Sequence, residues 1–179
     1  MKIPNRPSLM SWVLLLSLGT LQVLAQFEDD SQEPIEITAD SMEWLNSERI
    51  AIARGNADAV QGRYTLSADV LTAHMAETPL AEDSNAVSRI RRIDAEGNVI
   101  LTTPKETARG GTGTYDLEKK VAVLVGSVVL TQGDNVLHGQ KLIMDLTTGR
   151  SRLEGTPPTT SPKDGGRVRA IFTPSQNEQ

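Results

Sequence analysis

The chain has 179 residues, no cysteine, 3% aromatic side chains and a formal net charge of −5. The length supplies one domain with a real core, and stability must come from packing alone because no disulfide is available to brace it. An acidic balance argues against nucleic acid, whose phosphates require Lys and Arg, and against electrostatic adhesion to an anionic bilayer.

The first 25 residues read as a cleaved secretory signal. Lys2 and Arg6 form a positive start, Leu9 to Leu24 is mostly apolar, and Val23-Leu24-Ala25 offers a cleavage site. The competing reading is a retained membrane anchor, but the apolar stretch is short for a span and diluted by Ser11, Ser17, Gly19, Thr20 and Gln22. With no cysteine, lipid attachment at that residue is excluded. Cleavage would leave 154 residues with 16 basic and 23 acidic side chains, a net charge of −7. Residues 26–34 are acidic, aperiodic and end in Pro34, which predicts a disordered leader.

Ordered structure is expected over 35–176, followed by a polar tail at 177–179. Ile35, Ile37 and Ala39 alternate with Glu36, Thr38 and Asp40, the period of a half-buried strand. Ser41 to Arg49 reads as a polar connection around Trp44. Ile50–Arg54 and Ala57–Val60 flank a Gly-Asn joint. In the next strand Tyr64, Leu66, Ala68 and Val70 form one face, and Thr65, Ser67, Asp69 and Leu71 the other. Residues 77–88 form the one long loop. Further short strands are predicted at 90–95, 99–103, 113–117, 121–125, 128–131, 136–139, 141–146 and 150–154. A Pro-rich break at 156–162 precedes a last strand over 167–173. No stretch carries a sustained helical period with caps, so the chain is all-β, with about a dozen short strands.

Four joints recur: Arg54-Gly55-Asn56, Glu96-Gly97-Asn98, Val125-Gly126-Ser127 and Glu154-Gly155-Thr156. Their glycines lie 42, 29 and 29 residues apart, and the segment Glu77 to Arg89 accounts for the extra 13 in the first interval. A unit of 29 residues used repeatedly is the signature of a stacked architecture, which offers a continuous surface rather than one cleft.

Side chains with catalytic potential do not converge in the sequence. His74 and His138 lack metal-ligand spacing and read as solvent-facing strand residues. Gly110-Gly111-Thr112-Gly113 lacks the Lys-Ser/Thr and helix of a phosphate loop and reads as a flexible turn. Asp40, Asp69, Asp116 and Asp145 fall near one another in repeat register, as acid and base would in a β-solenoid carbohydrate enzyme. Their place beside turns favours a solvated edge instead. Arg89, Arg91 and Arg92 form the one dense basic spot. The Ala-rich first repeat leaves open whether the interior is closely packed or has room for an apolar ligand.

The opening Pro34-Ile35-Glu36-Ile37-Thr38-Ala39-Asp40, the Gly-Asn joints, Tyr115-Asp116-Leu117-Glu118 and the ending Arg167-Val168-Arg169-Ala170-Ile171-Phe172-Thr173-Pro174-Ser175-Gln176 resemble the OstA-like family. The resemblance covers nearly the whole chain after the signal. It implies a twisted antiparallel β-jellyroll, open along one seam, with an apolar groove along which lipopolysaccharide moves through the periplasm. It implies no catalysis, no cofactor and no metal. The implied partners are lipopolysaccharide, a membrane-anchored OstA-like component of an inner-membrane transport complex, an outer-membrane insertion barrel, and further copies joined head to tail. A membrane-anchored relative in the same pathway is the alternative, separated by cleavage at Ala25.

On that resemblance, alternation assigns Ile35, Ile37, Leu66, Val99, Leu101, Tyr115, Leu117, Val128, Leu130, Leu142 and Met144 to the groove. The parity is anchored at Ile35/Ile37 and Tyr115/Leu117, and elsewhere a single bulge reverses it. The end strands supply edges for joining copies: Ile35, Glu36, Ile37 and Thr38 at the start, Val168, Arg169, Ala170, Ile171 and Phe172 at the finish.

Overall fold

The computed structural model describes residues 33–76, 90–156 and 166–173. The predicted signal, nearly all of the acidic leader, the 77–89 loop, most of the Pro-rich segment and the polar tail lie outside them. All regular structure in the described residues is β. In chain order the strands are β1 (Ile35–Thr38), β2 (Ser41–Leu45), β3 (Ile50–Gln61), β4 (Tyr64–Met75), β5 (Ile90–Thr102), β6 (Thr107–Asp116), β7 (Val121–Gln132), β8 (Asn135–Asp145), β9 (Arg150–Glu154) and β10 (Arg169–Ile171). Every pairing is antiparallel, in one sheet ordered β1-β3-β4-β5-β6-β7-β8-β10. β2 extends β1 along β3, and β9 accompanies β10 along β8, so each end of the sheet is a strand in two pieces.

The strands are fewer and longer than predicted, and the Gly joints are bulges inside them rather than turns between them. The segments predicted at 50–54 and 57–60 merge into β3; those at 90–95 and 99–103 merge into β5, and the same happens in β7 and β8. Gly55-Asn56, Gly97-Asn98 and Gly126-Ser127 each hold two consecutive residues at positive φ (79° and 43°, 76° and 48°, 90° and 46°). The ladder shifts register there, which bends the strand without ending it. Gly155 does not share the pattern and lies just past β9. Two further expectations change. Ser41–Leu45 is strand β2, not a connection, and Gly110–Gly113 lies inside β6, not in a flexible turn.

The bulges have a specific lock. Asn56 Nδ2 donates to Asp40 Oδ2 at 3.0 Å, and Asn98 Nδ2 donates to Asp69 Oδ2 at 2.9 Å. A Cβ on Gly55 or Gly97 would collide with that same carboxylate, so glycine is required for close approach as well as for its φ. Gly55 follows Asp40 by 15 positions, and Gly126 and Gly155 follow Gly111 and Gln140 by the same 15; Gly97 follows Asp69 by 28, the additional 13 being the 77–89 segment. The repeat therefore places its third and fourth lock positions at Gly111 and Gln140, where the carboxylate is missing. Opposite each bulge the partner strand slips phase by one residue. This is why Leu71 is fully buried and Val70 is not, reversing the predicted assignment of that pair.

Bending at the bulge line folds the sheet over onto itself. Tyr115 on β6 and Gln61 on β3 are three strands and about eight residues apart, roughly 30 Å on a flat sheet. Yet Tyr115 Oη donates to Gln61 Oε1 at 3.1 Å. Ser151 on β9 likewise reaches Glu106, beside β6, again three strands away. The two ends of the strands thus face each other with a fixed three-strand offset, producing a twisted roll whose sheet does not close. Its core is one cluster drawn from the inner face of β3 to β8.

Candidate functional site

The inner face consists of rows that run across the roll. One row starts at Ile37 and passes through Ala59, Leu66 and Leu101 to Leu137 and Ala170, each directly opposite its neighbour where their strands pair. Ala108 and Leu130 complete it between Leu101 and Leu137. Two rows on the other side of the bulge line contain Tyr115 with Ala122 and Met144, and Leu124 with Leu142. Each row is apolar almost throughout, as alternation requires of a buried face.

The structure places the predicted groove residues as follows. Leu66, Val99, Leu101, Tyr115, Val128, Leu130, Leu142 and Met144 are buried in the core cluster, and Ile35, Ile37 and Leu117 pack against it half-buried. They share a single inner face although they come from β1, five long strands and the turn after β6. Near the first end a small apolar pocket is bounded by Ile35, Leu66, Ile93, Leu101, Tyr115 and Leu146, with the Tyr115–Gln61 pair at its wall. Elsewhere Ala51, Ala53, Ala57 and Ala73 are at most 5% exposed, so the small side chains of the first repeat let the two layers approach closely.

Both end strands expose apolar surface. On β2, Met42 and Trp44 are 52% and 51% exposed and stand opposite Ala53 and Ala51, on the inner face. At the other end Val168, Ile171 and Phe172 are 41%, 44% and 71% exposed. Of the predicted edge residues, Ile35, Glu36, Ile37 and Thr38 form β1; Arg169, Ala170 and Ile171 form β10, while Val168 and Phe172 flank it. Sequence reading missed β2 and β9 as the other halves of these edges. Trp44 gave the available signal: Met42 and Trp44 alternate with Ser41 and Glu43. Among the described residues neither edge is paired on its outer side.

The polar candidates resolve into structural roles. Asp40 and Asp69 lock bulges, whereas Asp116 and Asp145 cap turns by accepting from Lys119 N at 2.9 Å and from Thr147 N and Thr148 N at 2.9 and 3.0 Å. These four do not meet as an acid–base set. His138 is exposed, but His74 is half-buried on the outer face with Nε2 2.9 Å from Asp94 Oδ2, a correction to its expected solvent-facing role. Asp94 also accepts from Arg92 (2.8 and 2.6 Å) and Thr114 Oγ1 (3.1 Å). Partial burial works against its charge, yet these donors hold its carboxyl below the usual carboxylate range. Among the described residues no group of three or more His, Asp or Glu is placed to hold a metal, and no helix is long and apolar enough to cross a membrane.

A sheet of this topology with an apolar inner face invites comparison with known proteins. The profile of the family described as LptA/(LptD N-terminal domain) LPS transport protein matches residues 36–150. The chain belongs to this family. An uncharacterized protein of Rhizobium meliloti is 32% identical over 165 residues, covering 91% of this chain and 83% of that protein. The lipopolysaccharide export system protein LptH of Pseudomonas aeruginosa is 25% identical over 176 residues, covering 93% of each. The crystal structure of that LptH, described as the LptA-homologous periplasmic component of the lipopolysaccharide transport device, superposes with a TM-score of 0.67. It covers 81% of this chain and 99% of its own, at 18% identity, and so establishes the shared jellyroll fold. The resemblance to the OstA-like family and the all-β jellyroll expected from it are both found.

Proposed function

We propose that this protein is a periplasmic carrier of lipopolysaccharide that bridges the inner and outer membranes head to tail, with the acyl chains shielded against its inner face. The observation that carries the reading is an unclosed roll, apolar along its whole inner face and ending in an unpaired strand on each side, within a family of lipopolysaccharide transport proteins. Each methylene removed from water contributes about 0.8 kcal/mol, so several acyl chains need a continuous apolar path across an aqueous space. Rows of near-equivalent residues supply one without a deep trap. Directionality comes from outside, as the path itself has none. The close packing of Ala51, Ala53 and Ala57 means that cargo enters by spreading the two layers, which are tied at the rim by Tyr115–Gln61 and Ser151–Glu106. The proposed partners are a membrane-anchored relative at the inner membrane, an insertion barrel at the outer membrane, and further copies of the chain.

The test is photo-crosslinking to purified lipopolysaccharide with a probe at Leu117 and a control at Glu118. Leu117 is half-buried against the core, whereas Glu118 is exposed in the turn. A crosslink at Leu117 alone is expected. Because Ile37 and Leu117 are only half-buried, Ile37→Asp and Leu117→Asp should abolish capture while leaving the circular dichroism spectrum unchanged. Capture retained by both folded variants refutes the inner face as the lipid path.

A further inference from the structure

We infer that the roll opens at its third bulge: the segments 112–125 and 141–154 form one flap that swings about Gly126-Ser127 to admit lipid to the inner face. The inference rests on the carrier reading above and says where that carrier opens.

Beyond the bulge line the strands pair in four units: β2 with the start of β3, the end of β4 with the start of β5, the end of β6 with the start of β7, and the end of β8 with β9. Each unit is rooted at one lock position and one repeat glycine: Asp40 and Gly55, Asp69 and Gly97, Gly111 and Gly126, Gln140 and Gly155. In the first two units the Asn–Asp hydrogen bond, 3.0 or 2.9 Å long, closes the root. It ties the bulge to the neighbouring strand at the bend itself, and so fixes the angle between the two halves of the bent strand. The last two roots lack it.

The third root is the softest. Gly111 brings no side chain to the bulge, and Ser127 stands where the locked bulges have Asn56 and Asn98. Ser127 still takes a φ of 46°, a left-handed conformation that asparagine tolerates better than serine. Its N–H donates to Gln140 Oε1 at 3.4 Å, near the limit for such a bond. Packing beside the bend is thin as well, because Gly110 and Gly113 hold the places that Ala68 and Leu71 hold beside Asp69. A strained residue with few compensating contacts marks a region that opens at low cost.

The unlocked units are also ones that close the roll. Tyr115 lies on the third unit and Ser151 on the fourth, and they tie these units to Gln61 and Glu106 in the opposite layer. In the pocket near the first end, Tyr115 and Leu146 of the flap face Ile35, Leu66 and Leu101. Releasing the two ties uncovers that pocket while the locked units keep their shape. The two unlocked units move together because β7 and β8 pair over Val121–Val125 and Lys141–Asp145. The flap stays paired with β5, where Thr114 Oγ1 donates to Asp94 at 3.1 Å, so opening adds twist to the sheet and leaves the ladder whole.

The test completes the missing lock. A Cβ on Gly111 would lie 3.5 Å from Val125 O, an ordinary contact, and the φ of Ser127, 46°, falls between the 43° of Asn56 and the 48° of Asn98. Gly111→Asp combined with Ser127→Asn therefore supplies both halves of the lock without a clash. In the wild type, amide exchange in the β6–β7 ladder around the third bulge should be about tenfold faster than around Gly55 and Gly97, the effect of one hydrogen bond to a carboxylate. The double variant should erase that difference and slow crosslinking of lipopolysaccharide to the Leu117 probe by about tenfold, with each single substitution doing less. A double variant that gains protection yet captures lipid at the wild-type rate overturns the hinge and leaves the carrier reading intact. Equal exchange around all three bulges in the wild type overturns it too, whether or not the double variant folds. If the wild type captures no lipopolysaccharide at Leu117, the carrier reading falls and takes the flap's role with it, even where the exchange difference is found.

Discussion

Gly97→Ala tests the bulge lock most directly. The glycine sits at a φ of 76°, and a methyl group there would strike the Asp69 carboxylate. Left-handed backbone costs a non-glycine residue about 1–2 kcal/mol. Moving Asp69 aside breaks its 2.9 Å hydrogen bond from Asn98, worth about 1 kcal/mol. The sum is about 2–3 kcal/mol, or a fall of roughly 6–10 °C in Tm for a domain of this size. The two contributions separate in a cycle. In the Asp69→Ala background the collision and the hydrogen bond are already gone, so Gly97→Ala should cost only the backbone part, about 1–2 kcal/mol. Gly133→Ala is the control, since Gly133 has a φ of 56° with nothing near its would-be methyl group. Urea denaturation followed by circular dichroism measures the four variants against the wild type. If Gly97→Ala costs no more than Gly133→Ala, or if its cost is the same with and without Asp69, the lock is not a lock.

Two further outcomes follow from side chains already described. The Asp94 carboxyl titrates lower in the folded protein than in the unfolded chain, so the unfolded state binds more protons in acid. Its stabilisation is therefore full above the unfolded pKa and is lost as pH falls through the folded value. Asp94→Asn should flatten the stability profile below about pH 4, and an unchanged acid slope in denaturation curves would remove Asp94 as its source. Tyr115→Phe deletes the Oη that donates to buried Gln61 across the fold, and should lower the urea midpoint by about 1–2 kcal/mol of stability with an unchanged m-value; a neutral substitution would mean that this tie does not help hold the two layers together.

Much of the architecture is legible in the amino-acid sequence. Alternation and the absence of helical periods gave the all-β class, and the 29-residue interval gave the layering. What the sequence hid was whether a Gly-Asn pair ends a strand or bends it. Both outcomes want positive φ at adjacent residues, so the local chemistry is the same. The deciding partner, Asp40 or Asp69, lies 15 or 28 positions away and acts only after the strands pair. The one-residue slip at Asp69 is equally invisible to a period-two reading, which puts Val70 rather than Leu71 on the face of Leu66 and Ala68. β2 was obscured because its outward residues, Ser41 and Glu43, and its exposed inward ones, Met42 and Trp44, together look like a loop. The inner-face set was easier, since a two-residue bulge preserves parity: Ala53 and Ala57, Ala95 and Val99, and Leu124 and Val128 each stay on one side.

The pairing of one locked position with one bulge across two strands makes the roll's length a quantised property. Strands alternate in direction, so a single added strand would reverse the polarity of the far edge. Growth by a whole unit of two strands keeps both edges as they are and adds about 9.6 Å to the axis. The 13 additional residues 77–89 come between β4 and β5 in the sequence, and β4 and β5 pair as neighbours all the same. A molecule built this way can vary its hairpins freely, yet changes its reach only in fixed steps.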